Sequence, residues 1–439
     1  MELKHLKYLD LSRNDFQHNK IPKFFGSLNK LRYLNLSCTY FSGKVPHQLG
    51  NLTNLQVLDL RSERYRYVQR AYADDFQWSS SLLFLRHLDM SRVDLGSAHN
   101  LMEVLTRLPS LLNVKLSYCG INNTHFQNAL VNSTFIASIQ LLDLSFNHLQ
   151  TPILSALQNM SFLRVLDISG NSFHSSVPLW LGNLKSLVTL NLGWNGFDSI
   201  EGGLSSLINN YCHLKSLDLS RNQFHVEALV TGQNLSTCGM HSLESLSLGF
   251  NDFGGKFPNW LGQLRGLKHL DLSDSLLHGP IPSSLWNLSN LRVVDLYSNQ
   301  LNGTIPSSLG NLSNLRVVDL SSNQLNGATP NSLGRLSMLR ELNVEANQLS
   351  GVIPRSLGQL VNLEVFDIST NSLEGTISEI HFSNLSRLKS LDIGNNYNLT
   401  FKVSSDWIPP FSLQKIRMEN CKLEGSEFPQ WLRRLKKCG

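Results

Sequence analysis

The sequence predicts an α/β solenoid, a stack of about seventeen short repeats that each add one strand to a parallel sheet. The pattern L-x-x-L-x-L-x-x-N-x-L begins at Leu6 and recurs until Leu413, and half of the intervals between first leucines are 24 residues. A fixed period of this length is typical of a repeat array. Because each repeat buries its leucines against its neighbours, one core can extend through residues 1–439. We therefore expect a single domain, without evident N- or C-terminal caps.

The first six positions of the repeat predict a strand with one buried face. Leucines at positions 4 and 6 alternate with polar residues, the period of two of a half-buried strand. Stacked repeats place these strands in parallel, about 4.8 Å apart, in a concave sheet whose polar face stays open to solvent. The G-x-I-P sequence that follows, as at residues 303–306, predicts a turn. Stretches such as residues 307–312 then predict short helical turns on the convex side.

Position 9 of the repeat is asparagine in eleven repeats, among them Asn147, Asn299 and Asn347. The chain turns inward there and leaves backbone groups without strand partners. A buried carboxamide satisfies them with its donor hydrogens and its acceptor oxygen. Cys119 and Cys421 stand at the same position, where a thiol is a small, weak donor. We predict a structural role for this row, not a catalytic or metal-binding one.

Composition and motifs exclude several functional classes. Charged residues make up 16% of the chain and the net charge is +5, so no basic surface for nucleic acid is predicted. No segment has the roughly 18 apolar residues of a membrane span, and residues 1–5 lack the apolar stretch of a signal peptide. Motifs for nucleophilic, zinc or phosphate chemistry are absent. We therefore expect no enzyme activity, no cofactor and no metal site.

The G-x-I-P element resembles that of the plant extracellular subclass of leucine-rich repeats. Three further stretches resemble plant receptor-like proteins of the ethylene-inducing-xylanase receptor type. They are residues 6–16 (LKYLDLSRNDF), residues 76–91 (FQW to LDMS) and residues 406–411 (DWIPPF). The resemblance extends over essentially all 439 residues, and it implies a leucine-rich-repeat solenoid.

The resemblance also implies a function. Receptors of this type are cell-surface immune receptors with an ectodomain, one membrane span and a short tail, and they signal through partner receptor kinases. This chain is therefore expected to be part of the ligand-sensing ectodomain, outside the plasma membrane, with membrane attachment only through a segment outside the chain. A microbial protein or peptide is the expected ligand. Two alternatives stay open: a soluble inhibitor of a microbial cell-wall-degrading enzyme, similar to polygalacturonase-inhibiting proteins, and a truncated fragment that does not signal.

The side chains predicted to bind the ligand lie at position 8, which points out of the concave face. Aromatic residues and arginines, the usual anchors of protein interfaces, concentrate there in repeats four to ten, and later repeats carry small or neutral residues. The predicted binding strip consists of Arg92, Tyr118, Phe146, Trp194, Arg221, Phe250 and Tyr297, the last at position 7. The competing interpretation is consensus drift, because an aromatic residue before the ladder asparagine is tolerated in many such repeats.

Two further surface features are interpreted from the sequence. An irregular loop-out over residues 61–81 contains Arg64, Tyr65, Arg66 and Tyr67. Loops of this kind often emerge on a binding face, and the resemblance implies ligand contact; a merely solvated loop is the alternative. A row of aspartates at position 5 is interpreted as solvated and balanced by Lys or Arg at position 2, rather than as a cation site.

Sequons and cysteines complete the candidate sites. N-glycosylation in a secreted chain is predicted at Asn51, Asn122, Asn132, Asn159, Asn234, Asn287, Asn302, Asn311, Asn384 and Asn398. Asn35 lies on a strand and is a poorer acceptor. Cys212 and Cys238 precede successive strands on the same side of the stack and are a candidate disulfide, although six cysteines allow fifteen connectivities.

Overall fold

The computed structural model describes residues 3, 5–63, 70–126, 138–151, 157–229, 235, 237–424 and 431–432. The chain divides into two compact units, residues 1–202 with 210–218 and residues 203–209 with 219–439. Each unit is a stack of leucine-rich repeats with a parallel main sheet, which confirms the predicted fold class. A single domain over residues 1–439 stays a prediction.

In the first unit, each described repeat contributes a three-residue strand to the main sheet. Neighbouring strands pair in register, so that Leu9 lies opposite Leu34 and Leu34 opposite Leu58. From the second strand on, the middle residue is buried and its two neighbours are half-exposed, as the alternation predicts. The strands are Tyr8–Asp10, Tyr33–Asn35, Val57–Asp59, His87–Asp89, Asn113–Lys115, Leu141–Asp143, Val165–Asp167, Thr189–Asn191 and Ser216–Asp218.

The second unit has a main sheet of the same kind. Leu270 lies opposite Leu246 on one side and opposite Val294 on the other, so the buried apolar residues form a continuous row through neighbouring repeats. The strands are Ser245–Ser247, His269–Asp271, Val293–Asp295, Val317–Asp319, Glu341–Asn343, Val365–Asp367, Ser390–Asp392 and Lys415–Arg417.

A second parallel ladder lies beyond the turn that follows the main strands, and the repeat pattern had not predicted it. In the second unit its strands are Gly255–Lys256, Leu277–Pro280, Gln300–Thr304, Gln324–Ala328, Gln348–Val352, Ser372–Ile377, Asn398–Phe401 and Lys422–Leu423. In the first unit Gly43–Lys44 pairs with Ala71–Tyr72, and His174–Val177 pairs with Gly196–Ile200. The sequence Q-L-N-G-T forms such a strand because Leu301 is buried between the exposed Gln300 and Asn302, and Gly303 adopts a φ of 79°.

The predicted helical turns are mostly five-residue 3₁₀ helices. They are Lys23–Ser27, His47–Asn51, Gln77–Ser81, Asn123–Phe126 and Leu179–Asn183 in the first unit, and Asn259–Gln263, Ser283–Asn287, Ser307–Asn311, Asn331–Arg335, Arg355–Gln359 and Glu379–Phe382 in the second. Three of the repeats longer than 24 residues, those that begin at Leu85, Leu187 and Leu214, contain α-helices. These are Leu101–Leu105 in the first unit and Gly203–Asn209, Val226–Leu229 and Thr237–Ser242 in the second.

The loop-out expected over residues 61–81 is narrower than the sequence suggests. Ala71–Tyr72 is a strand of the second ladder and Gln77–Ser81 is a 3₁₀ helix. Both occupy the places that these elements have in other repeats, so the irregular part ends before residue 71. The four residues expected to contact ligand, Arg64, Tyr65, Arg66 and Tyr67, lie outside the described residues.

The asparagine row forms the hydrogen-bond ladder that the repeat predicts. The amide nitrogen of Asn147 donates to the carbonyls of Leu116 and Leu144 at 2.8 and 2.9 Å, and its oxygen accepts from the backbone of Cys119 and Ile121, both at 3.0 Å. The buried thiol of Cys119 donates to the carbonyl of Met90. The prediction of a structural role for this row is confirmed.

The aspartate row at position 5 differs from the solvated row that the sequence suggested. The carboxylate of Asp143 is half-buried and accepts from both the backbone nitrogen and the hydroxyl of Ser145, at 3.0 and 2.6 Å. Position-2 cations do not simply balance this row: the Lys268 ammonium lies 2.6 Å from the Glu244 carboxylate instead. These aspartates therefore fix the turn at position 7 by accepting its amide hydrogen.

Residues 406–411 have a packing role in the second unit. The ring of Trp407 lies 5.8 Å from Phe382 and 5.9 Å from Phe411, and 5.5 Å from Trp431. Phe411 and Trp431 are buried. The D-W-I-P-P-F sequence thus adds an aromatic cluster to the core of the late repeats.

A candidate binding surface on the open sheet face

Position 8, where the binding strip was predicted, has a left-handed backbone in sixteen repeats. Its φ ranges from 46° at Asp274 to 69° at Arg92, and Gly170 is the one glycine among the sixteen residues. In fourteen of these residues the amide donates to the position-7 carbonyl of the next repeat, as Phe146 does to Ser169 at 2.7 Å. Left-handed conformation costs a residue with a side chain about 1–2 kcal/mol. Inter-repeat hydrogen bonds therefore hold large side chains in a conformation that they disfavour in isolation.

Three predicted residues of the first unit form one stack. The rings of Tyr118 and Phe146 are 4.4 Å apart and 6° from parallel, and the guanidinium carbon of Arg92 lies 4.5 Å from the centre of the Tyr118 ring. Each aromatic pair of this kind contributes about 0.5–1.5 kcal/mol, and a cation over a ring adds about 0.5–2 kcal/mol. The structure thus brings Arg92, Tyr118 and Phe146 together as predicted neighbours.

Gly170 makes room for this stack, and the sequence reasoning missed its role. A β-carbon at residue 170 would overlap Cδ1 of Phe146 and lie 2.7 Å from Cε1. The Phe146 ring therefore lies directly over the Gly170 backbone. The signal in the sequence is a lone glycine at position 8, one repeat after a phenylalanine at the same position.

The other predicted residues lie apart from this stack. Trp194 occupies position 8 of its repeat in the first unit with 53% of its surface exposed. In the second unit, the guanidinium carbon of Arg221 lies 3.7 Å from the centre of the Phe250 ring. Tyr297 is 42% exposed, and its backbone bonds to Asp295 and Asp274. The residues thus occur in each unit as separate groups on the open face.

The main sheet beside the first-unit stack carries carboxylates. Burial raises the pKa of Asp143, against the lowering effect of its hydrogen bonds from Ser145, and the neighbouring Asp167 raises it further. Burial also raises the pKa of Asp59. Lys115 occupies the same sheet position between Asp89 and Asp143. The surface next to the aromatic stack is therefore mainly acidic.

The remaining predicted sites are placed as follows. The side chains of Asn51, Asn159, Asn287, Asn302, Asn311, Asn384 and Asn398 are exposed and that of Asn122 is half-exposed, whereas Asn132 and Asn234 lie outside the described residues. Cys212 is disulfide-bonded. The side chain of Cys238 is not among the described ones, so its pairing with Cys212 stays a prediction. Occupancy of the sequons is likewise a prediction.

In the part of the chain that the structure describes, no three His, Cys, Asp or Glu side chains are grouped so that they could hold a metal ion. Among the described residues, no helix has both the length and the apolar character to cross a membrane.

Family models match much of the chain. Residues 251–437 match the model of a leucine-rich repeat region, and residues 4–64, 138–160, 162–184 and 211–230 match three other leucine-rich-repeat models. Together with the fold, these matches define a leucine-rich-repeat protein.

Similar proteins narrow this class. The chain is 42% identical to receptor-like protein EIX2 of Solanum lycopersicum over 98% of its own length and 41% of that protein. It is 40% identical to receptor-like protein EIX1 of the same plant over 34% of its length and 14% of that protein. The chain belongs to the leucine-rich-repeat receptor-like proteins of plants, and it spans less than half the length of these relatives.

A solved structure shows the same architecture. The Arabidopsis receptor kinase HAESA, in complex with the peptide hormone IDA and the co-receptor SERK1, is 25% identical with a TM-score of 0.67. The match covers 99% of this chain and 69% of that chain.

Proposed function

We propose that this chain is the ligand-recognising part of a plant cell-surface receptor-like protein, and that it binds a microbial protein or peptide in defence signalling. The observation that carries the proposal is the Arg92–Tyr118–Phe146 stack on the open face of the main sheet. The family of the chain also supports the proposal, because the relatives that the chain matches are receptor-like proteins.

The stack suits protein recognition because it is rigid before the ligand arrives. Position-8 amides are bonded to the next repeat, and each ring is held by a neighbour. Binding therefore costs these side chains little conformational entropy. Preorganised aromatic and arginine side chains are the common anchors of interfaces.

The proposal extends to location and partners. The chain acts on the extracellular side of the plasma membrane, and receptor kinases transmit the signal in the complete protein. The HAESA complex, which contains a peptide hormone and a co-receptor, supports a peptide ligand and a kinase partner in general terms. Exposed sequons on the 3₁₀ helices and the second ladder, such as Asn311 and Asn302, would carry glycans away from the main sheet.

Binding of a purified ethylene-inducing xylanase to the full chain, measured by biolayer interferometry, tests the proposal. The double variant Tyr118→Ala/Phe146→Ala is expected to weaken binding at least about tenfold. Thr370→Ala, a position-8 change in a late repeat, serves as the matched control and is expected to leave affinity unchanged. Equal affinity of the double variant and the native chain, with both folded by circular dichroism, would remove the stack from the binding site.

A second binding partner, a fungal polygalacturonase, distinguishes the receptor proposal from the inhibitor alternative. If the chain binds and inhibits a fungal polygalacturonase but does not bind the xylanase, the receptor proposal is wrong and the inhibitor function is correct.

A further inference from the structure

An open cavity of about 600 Å³ lies in the second unit, where the main strands of repeats nine to eleven end. It is lined by Asn222, Gln223, His225, Phe250, Asn251, Asp252, Asp274 and Leu276. Asn222 and Asn251 are ladder residues with buried side chains. The other six therefore determine the chemistry of the cavity.

The cavity adjoins a local change in the asparagine ladder. Repeat eleven has Ser275 at the ladder position, fully buried, with its hydroxyl donating to the carbonyl of Ser273 at 3.0 Å. The next residue, Leu276, adopts a φ of 55° and is 44% exposed. In repeat two Thr39 also replaces the asparagine, and the following Tyr40 has a φ of 56°. In both repeats, a ladder residue with a hydroxyl group is followed directly by a residue with a left-handed backbone. In repeat eleven the following residue is an exposed leucine.

The lining combines an apolar wall with carboxylates. Phe250 and Leu276 supply the apolar part, and Asp252 and Asp274 supply two acidic groups. His225 lies 3.7 Å from the Asp252 carboxylate through Nδ1, and the Asp274 carboxylate accepts from the Ser298 hydroxyl at 3.4 Å. No lysine or arginine is among the eight lining residues, and the neighbouring Arg221 guanidinium is stacked on the Phe250 ring, 3.7 Å from its centre. A group that fits this lining has a long apolar stem and a cationic head.

We propose that this cavity binds a lysine or arginine side chain of a peptide or protein ligand. The methylene stem packs against Phe250 and Leu276, and the charged head is held between Asp252 and Asp274. A lone cation fits less well, because the described residues here do not form a group of three metal-ligating side chains. This assignment rests on the proposed function, because it assumes a peptide or protein ligand. It adds that a basic side chain of that ligand is recognised in the cavity.

Capped tripeptides test the pocket without knowledge of the natural ligand. Acetyl-Gly-Lys-Gly-amide and the isosteric norleucine peptide are titrated against the full chain, and binding is followed by ligand-observed NMR in the millimolar range. The lysine peptide is expected to bind at least about fivefold more tightly than the norleucine peptide. Equal binding of the two, or no binding of the lysine peptide, would overturn the proposal.

Variants assign the effect to the two carboxylates. Asp252→Asn/Asp274→Asn is expected to abolish the preference for lysine, and asparagine tolerates the φ of 46° at residue 274, so the fold is retained. Glu374→Gln, an exposed carboxylate of the second ladder, is the matched control and leaves the preference intact. A preference that survives the double variant would contradict the assignment.

The outcome is separable from that of the proposed function. Phe146→Ala lies in the other unit and is expected to leave tripeptide binding unchanged while it weakens xylanase binding. If the lysine preference is absent but Phe146→Ala still weakens xylanase binding, the pocket assignment fails and the proposed function stands. If the preference is present and xylanase does not bind, the pocket stands without that ligand.

Discussion

The ring of Phe146 lies over the backbone of Gly170, so closely that a β-carbon at residue 170 would overlap Cδ1 of the ring. Both residues occupy position 8 and have left-handed backbones, with φ of 53° and 62°. The glycine therefore fixes where the Phe146 ring lies, and the ring in turn places Tyr118. One small residue sets the geometry of the whole stack.

Gly170→Ala tests this relationship. The substitution adds left-handed strain and a clash with the ring, so we expect a loss of about 2–4 kcal/mol in the free energy of unfolding. Gly254→Ala is the matched control: its φ is 51°, and nothing lies within 4 Å of an added β-carbon. That control should lose only about 1 kcal/mol. Urea denaturation measures both, and equal losses would show that the Phe146 ring does not depend on Gly170.

The asparagine ladder predicts unequal costs for the same substitution. Asn147 makes hydrogen bonds to backbone groups of its own repeat and of the preceding repeat from a buried position. Exposed Asn14 donates to the carbonyls of Leu11 and Ser12, and its oxygen accepts from none of the described residues. Asn147→Ala should lose about 3 kcal/mol or more and Asn14→Ala less than about 1 kcal/mol, because only the first leaves buried groups unpaired. Similar losses in chemical denaturation would contradict the structural role of the ladder.

The acidic row predicts a pH dependence of stability. Burial raises the pKa of Asp295 to about 6, and the neighbouring carboxylates Asp271, Asp319 and Glu341 add to the shift. An unfolded aspartate titrates near 3.9, so between about pH 4 and pH 6 the folded chain holds a proton that the unfolded chain has lost. Stability from this group is greatest below about pH 4 and is lost as the pH rises through 6.

Asp295→Asn removes this titration. Asparagine can still accept the position-7 amide, as Asn343 does from Glu345 at 3.1 Å. The variant should be more stable than the native chain by about 1 kcal/mol at pH 7, after allowance for solvent screening, and equal to it near pH 4. Thermal unfolding across this range measures the difference, with Glu374→Gln as control. A variant that gains nothing at pH 7 would show that Asp295 is not destabilised by its surroundings.

Sequon occupancy should follow exposure and local hydrogen bonding. The carboxamide of Asn35 lies on a strand, donates to Asp10 at 3.1 Å and accepts from the backbone of Ser37 at 2.9 Å. Asn287 and Asn311 are exposed at the ends of 3₁₀ helices. In material secreted from plant cells, glycosidase treatment should convert Asn287 and Asn311, but not Asn35, to aspartate in peptide mass spectra. Conversion at Asn35 would show that its strand hydrogen bonds do not prevent glycosylation.

The parts of the fold that depend on periodicity were predictable. Leucine spacing predicts the buried row of the main strands, and the recurring asparagine predicts its hydrogen bonds, because both roles are identical in every repeat. The second ladder was harder to predict from the sequence, because a stretch such as Gln324–Ala328 alternates over only five residues and also contains a turn-forming glycine.

The details of the candidate surface depend on contacts that periodicity does not encode. Tyr118 and Phe146 avoid a left-handed backbone in isolation, so their side chains give no sign of it; inter-repeat hydrogen bonds impose it. A comparison across repeats does contain the signal, because Gly170, Asn395 and Asn420 at the same position all tolerate this conformation. The cavity beside Phe250 was missed because Ser275 looks like an ordinary ladder substitution.

Hydrogen–deuterium exchange of the full chain with and without the ethylene-inducing xylanase measures whether the ligand covers the open face of the main sheet. We expect slower exchange in the presence of the xylanase at residues 113–118 and 141–146, which carry Tyr118 and Phe146. Residues 300–304 and 324–328 of the second ladder should be unchanged. Protection confined to the second ladder or the 3₁₀ helices, with none at residues 113–118 and 141–146, would contradict ligand binding on the open face of the main sheet.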